Sequence, residues 1–149
     1  MDYRMNVKAI IAAAAVAAAA AGCSLEMSEN GSLDGNWKLE SIDTLSTGGR
    51  VSVAERHVFW AFQFKLLELR DKDDEWQRYL ARFEFKDGKL RIHSVYLYDR
   101  ENGDKPADSP GQLPLYGIGG VDETFDVESF SGSRMVLRRG DIRVSLYKM

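Results

Sequence analysis

The chain has one cysteine, Cys23, among 149 residues, so no intrachain disulfide can staple it. It has two histidines, His57 beside Arg56 and His93 in an alternating segment. Neither belongs to a pair at metal-ligand spacing, and no second cysteine can join them, which argues against a zinc site. No Gly-x-Ser-x-Gly elbow or comparable context supports a Ser/His/Asp site. The acidic run "DKDDE", Asp71 to Glu75, lacks the glycine and the distal glutamate of a calcium loop, and reads as a solvated connection. Asp122 and Glu123 are adjacent, so on a strand their carboxylates point to opposite faces. Gly117, Gly119 and Gly120 precede no helix and make no phosphate fingerprint. The net charge is −3 with both signs interspersed, and a nucleic-acid partner would need a basic face. The residues therefore point away from an enzyme, a metal, a cofactor and nucleic acid.

Only one long apolar run is present. Ala9 to Ala21 carry no charged or polar side chain, and Arg4 and Lys8 precede them. The run has the length of a signal-peptide core and is too short to span a bilayer. It ends in Ala20-Ala21-Gly22-Cys23, which resembles the lipobox of bacterial lipoproteins, with Ala20 where that family usually has Leu. The resemblance implies removal of residues 1–22 and a diacylglyceryl thioether on the Cys23 thiol. More than one acyl chain there would hold the protein stably on a membrane. Ser24 stands where an inner-membrane retention signal would have Asp, so an outer-membrane lipoprotein is expected, facing the periplasm or the cell surface. Residues 23–33 read as a polar, Gly/Ser-containing tether. Residues 34–149 suit a single domain. The removed segment carries Asp2, Arg4 and Lys8, net +1, which takes the mature charge from −3 to −4.

From residue 34 onward the apolar pattern has period two with turn signals between, the signature of an all-β fold. In "RYLARFEFKDGKLRIHSVYLY" the Asp87-Gly88 pair predicts a two-residue hairpin turn. Pairing outward puts Phe85 opposite Leu90, Phe83 opposite Ile92, Ala81 opposite Ser94 and Tyr79 opposite Tyr96, all on one face. The segment "HVFWAFQFKLLELRD" reads as one long strand, with Val58, Trp60, Phe62, Phe64 and Leu66 in phase, then a slip to Leu67 and Leu69 that suggests a bulge. A similar slip separates Trp37 and Leu39 from Ile42. The end of the chain predicts a meander, Thr124 to Phe130, Ser133 to Arg138 and Ile142 to Met149. Residues 99–112 read as a loop, and 113–120 fit either a short strand or one helical turn.

Seven or eight antiparallel strands, the first opening on Gly35-Asn36-Trp37, resemble the lipocalin barrel, whose first strand opens on Gly-x-Trp. Together with the lipobox, the chain is similar to the lipocalin-like lipoproteins of Gram-negative bacteria. The resemblance implies an up-and-down barrel of about eight strands. Trp37 would close its bottom, Gly35 would precede it, and Lys148 of the last strand would cover the indole as a cation. It also implies a lid over the mouth, which residues 45–57 would supply. The expected inward faces collect Trp60, Phe62, Phe64, Tyr79, Phe83, Phe85, Ile92 and Tyr96 as a candidate ligand pocket. An eight-stranded barrel either fills with its own side chains or holds one small ligand. Two functions follow. One is a non-catalytic carrier of a small apolar or amphipathic molecule of lipid or fatty-acid type. The other is a filled barrel that docks a protein or cell-wall partner at the outer membrane.

Overall fold

The computed structural model describes residues 30–149, so Cys23 and the signal peptide lie outside the described residues. Its strands are β1 (Gly35–Thr44), β2 (Gly49–Ser52), β3 (Val58–Gln63), β4 (Leu66–Asp71), β5 (Tyr79–Lys86), β6 (Lys89–Leu97), β7 (Lys105–Pro106), β8 (Glu123–Phe130), β9 (Arg134–Arg139) and β10 (Ile142–Lys148). Two 3₁₀ turns, Gly31–Leu33 and Leu113–Tyr116, complete the regular structure. Strand β1 pairs with β10 from Trp37↔Lys148 to Thr44↔Ile142. On its other side it pairs first with β3 and then with β2. The sheet therefore closes on itself as an all-β, eight-stranded antiparallel barrel in the order β1-β3-β4-β5-β6-β8-β9-β10. Its inward faces form one apolar core. The slip in β1 is a register shift against β10 between Leu39 and Ser41.

The Asp87-Gly88 turn forms with φ +54° and +71°, and sets Phe85↔Leu90 and Phe83↔Ile92 as its register requires. Above Arg82↔His93 the pairing departs from expectation. Ser94 adopts φ +51°, and β6 places two residues opposite Ala81 alone, so Leu80 pairs with Tyr96 and Tyr79 with Leu97. This extra residue is a bulge, and it reverses the facing of everything after it. Val95 turns inward, while Tyr96 points out and is 40% exposed. The expected pairs Ala81–Ser94 and Tyr79–Tyr96 do not form.

A second correction concerns residues 58–71. These are two strands, β3 and β4, joined by a two-residue turn at Phe64-Lys65 with Gln63↔Leu66 as the closing pair. Trp60 lies opposite Leu69 and Phe62 opposite Leu67, so a turn rather than a bulge explains the change of phase. The sequence offers no turn residue there. Phe64 itself takes φ +55°, a conformation usually left to glycine at that position.

The end of the barrel where the described chain enters is sealed. Trp37 is fully buried and its Nε1 donates to the Leu33 carbonyl at 2.7 Å. Lys148 Nζ lies 5.5 Å from the centre of the Trp37 ring and donates to the Ser32 carbonyl at 2.6 Å. Gly35 has φ +123°, and a Cβ there would stand 2.9 Å from Lys148 Cε. At the opposite end, the mouth, the strands give way to the connections 45–57, 72–78, 98–122 and 140–141.

Candidate binding site at the mouth of the barrel

Five of the eight residues expected to line a pocket meet inside the barrel: Trp60, Phe62, Tyr79, Phe83 and Ile92 are all buried. The aromatic ones among them pack ring against ring. Phe62 and Phe83 meet edge-on with centroids 4.9 Å apart, and Trp60 meets Phe125 at 6.0 Å. Phe85 is half-buried and packs against Phe130 at 5.2 Å. Phe64 and Tyr96 lie on the outside, for the reasons given above. One polar atom stands out in the interior: the buried Trp60 Nε1 has no hydrogen-bond partner among the described residues. Leaving such a group unpaired costs about 1–3 kcal/mol.

The mouth is closed by residues 113–118. Leu113, Tyr116 and Ile118 are fully buried and belong to the barrel core. The segment is a 3₁₀ turn with Pro114 in its first turn, ended by Gly117 at φ +90°. Gly117 lies so close to the wall that a Cβ would stand 2.7 Å from Val144 Cγ2, which excludes larger residues. Arg139 Nε donates to the Gly117 carbonyl at 2.9 Å, and the Tyr116 hydroxyl donates to the Gln77 carbonyl at 2.8 Å. Burial pushes the Tyr116 phenol well above its usual pKa, with the nearby Asp71 charge adding to the effect, so it stays a donor. The Tyr116 ring is stacked edge-on against Trp76 at 5.6 Å and Tyr79 at 6.1 Å. Residues 45–57 form no comparable cover: β2 extends the wall as an exposed hairpin arm, and Val53 alone among 49–53 is buried.

Trp76 is held in place by Asp71, the last residue of β4. The Asp71 carboxylate accepts from the backbone N–H of Asp73, Glu75 and Trp76 at 3.1, 3.1 and 3.2 Å, and from Arg56 Nη2 at 2.9 Å. Burial opposes the charge, but these donors outweigh it and hold the carboxyl below its ordinary pKa. The Arg56 guanidinium lies 4.3 Å from the Trp76 ring centre. The acidic run is therefore a loop organiser at its first residue and solvent-facing beyond it. No group of three His, Cys, Asp or Glu suited to a metal occurs among the described residues.

Two recesses flank this plug and share Gln77 and Gln112. One, of about 300 Å³, is lined by Tyr79, Leu97, Ala107, Asp108, Ser109 and Gly111 beside the two glutamines. The other, of about 480 Å³, is more open and polar, with Asp74, Glu75, Trp76, Arg78 and Tyr98. Between them Gln112 Oε1 accepts from the Gln77 N–H at 2.6 Å, and the Gln112 N–H donates to the Tyr79 hydroxyl at 2.9 Å. A third recess, also about 300 Å³, lies on the outer wall against Leu66, Leu80, Ala81, Arg82, Ser94, Tyr96 and Asp104. Sequence reading missed Trp76, Gln77, Ala107 and Gln112, which lie in connections without periodicity. The apolar spacing of Leu113, Tyr116 and Ile118 was the one available signal.

A family model for the lipocalin-like domain matches residues 17–149. The chain belongs to the lipocalin-like domain family. Among solved structures, this lipocalin-like domain is similar to a lipocalin-like protein from Bacteroides uniformis, with 21% identity and a TM-score of 0.57 over 79% of this chain and 99% of that one. It is also similar to an uncharacterized protein from Bacteroides eggerthii, with 16% identity and a TM-score of 0.55 over 78% and 98%. These identities speak for the fold alone. No curated protein matches the lipocalin-like domain.

Proposed function

We propose that this lipocalin-like protein is a non-catalytic binding protein, held on the outer membrane by an acylated Cys23, that takes a small amphipathic ligand at the rim of the mouth. The observation that carries the reading is the pair of recesses joined at Gln77 and Gln112. One end offers Tyr79, Leu97 and Ala107 to an apolar tail, with Asp108 and Ser109 at its border, and the other offers amides, carboxylates and Arg78 to a polar head. Each recess, about 300 and 480 Å³, falls within the range of small-ligand sites, and few convergent polar groups among apolar ones is their usual chemistry. The centre of the barrel is an unfavourable place for the same ligand, because its aromatic side chains already occupy it.

Native mass spectrometry of the mature protein tests this directly. A discrete extra mass that leaves on denaturation is expected for the wild type. Ala107→Trp fills the apolar recess from its half-exposed edge and is expected to remove that mass while the protein stays folded by circular dichroism. An adduct that persists unchanged in Ala107→Trp would sink the rim site. The filled interior also favours a second reading, in which the barrel is an interaction module. A bare wild-type mass from membranes of the native host, with a partner retained on the intact protein, would select it.

A further inference from the structure

The charge balance at the rim of the mouth is uneven. Among the described residues that line its two recesses, Asp74, Glu75 and Asp108 are carboxylates and Arg78 is the single cation. Arg78 is already engaged. Its Nη2 donates to Glu68 at 2.8 Å, its guanidinium lies 3.8 Å from the centre of the Tyr98 ring, and its unpartnered Nε is buried out of a ligand's reach. Glu75 is met by Arg56, which also serves the buried Asp71, so one cation stands between two carboxylates. Asp74 and Asp108 are exposed and form no ion pair among the described residues. The rest of the bordering connections, 72–78 and 98–112, hold Lys72, Arg100 and Lys105 against Asp73, Asp99, Glu101 and Asp104, which does not restore the balance. The uncharged groups of the rim suit cations as well. Trp76 carries the Arg56 guanidinium 4.3 Å from its ring centre, and Tyr98 carries Arg100 at 5.0 Å beside Arg78. Gln77 donates its Nε2 to the Arg78 carbonyl at 2.8 Å, which leaves its side-chain oxygen to accept.

We infer that the rim site selects an amphipathic amine, with its ammonium head in the polar recess against Asp74 and the Gln77 side-chain oxygen, and its apolar tail on Tyr79, Leu97 and Ala107. This rests on the rim site proposed above. Asp108, at the border of the apolar recess, adds to the negative field that draws the cation in. An ammonium carries three donors and no acceptor, which matches a site whose open groups are mostly acceptors. A carboxylate or phosphate head would enter the same space against a surplus of like charge, with no unengaged cation to receive it. Fatty acids, one of the ligand classes expected of the barrel, are therefore disfavoured at this site.

Isothermal titration calorimetry of the full mature chain tests this, with Cys23→Ser so that no acyl group or detergent intervenes. Three probes share one tail: octylammonium, octanoate and octyl glucoside. At pH 7 octylammonium is expected to bind about tenfold more tightly than octanoate, with octyl glucoside between them and the difference shrinking as salt rises. The double variant Asp74→Asn with Asp108→Asn should bring octylammonium to the level of octyl glucoside and leave octyl glucoside itself unchanged. Asparagine keeps the size of each side chain and suits the φ of +55° at Asp74. Octanoate or octyl glucoside bound as tightly as octylammonium, with all binding lost in Ala107→Trp, would overturn the amine preference and keep the rim site. A preference that survives either Ala107→Trp or the double asparagine variant would place the cation elsewhere and overturn it too. No binding of any probe would remove the rim site and the preference together.

Discussion

Asp71 shows how one buried carboxylate sets the shape of the mouth. It converts an acidic, loop-like stretch into a defined turn by accepting three backbone N–H groups, and so points Trp76 at Tyr116. Its pKa is lowered on folding, so its stabilisation is fully present above the ordinary carboxylate pKa and is lost as pH falls through the folded value. The urea midpoint is expected to fall steeply as pH drops below about 4, the ordinary aspartate value. Asp71→Asn should cost about 2 kcal/mol at pH 7, from the lost charge-assisted bonds, and should flatten that acid limb. A mutant with the wild-type acid limb would assign the effect to other carboxylates. Asp99, lowered by its bonds to Asn102, has the same sign but is a half-buried loop residue.

At the scale of the element, the plug of residues 113–118 is the piece that most distinguishes this barrel from an open cup. It has no ladder of strand hydrogen bonds and is held by side chains: Tyr116 to Gln77, Arg139 to Gly117, and Gln112 to both Gln77 and Tyr79. An element held this way opens at lower free energy than the strands beneath it. Gly117→Ala forces a Cβ against Val144 in a left-handed conformation, and about 2–3 kcal/mol of destabilisation is expected. Hydrogen exchange should rise chiefly over residues 111–118, while the amides of β9 and β10 stay protected. Uniform loss of protection would show that the plug is part of the cooperative barrel.

At the scale of the molecule, the core aromatic residues and the proposed rim site can be tested separately. Phe83 packs edge-on against Phe62 in the middle of the core, so Phe83→Ala should lower stability by about 3–5 kcal/mol in chemical denaturation. It should leave any ligand adduct of the folded fraction unchanged, in contrast to Ala107→Trp at the rim. Loss of the adduct in a folded Phe83→Ala protein would return the site to the interior. Closure between β1 and β10 brings residues more than a hundred apart in sequence into register, Trp37 with Lys148 among them. Such non-local pairing is slow to form but leaves no open edge in the ring of eight strands, β2 and β7 standing outside it.

Much of this was legible in the residues alone, and the reason is the two-residue period of a half-buried strand. That period located β1, β5, β6, β8, β9 and β10, and Asp87-Gly88 set the β5–β6 register because its turn demands positive φ. Gly35-Asn36-Trp37 marked the sealed end through its resemblance to the Gly-x-Trp that opens the lipocalin barrel. What failed was any local departure without a composition signal. The Phe64-Lys65 turn uses residues that no turn rule selects, and the Ser94 bulge uses one extra residue whose only trace is a shift of phase. Each error moved one aromatic, Phe64 or Tyr96, from an expected pocket to the outer surface. Whether the barrel is filled was also beyond the sequence. Strand alternation states which side chains point inward, whereas the volume left between them depends on tilt, bulges and the 113–118 plug, which only the closed tertiary structure brings together.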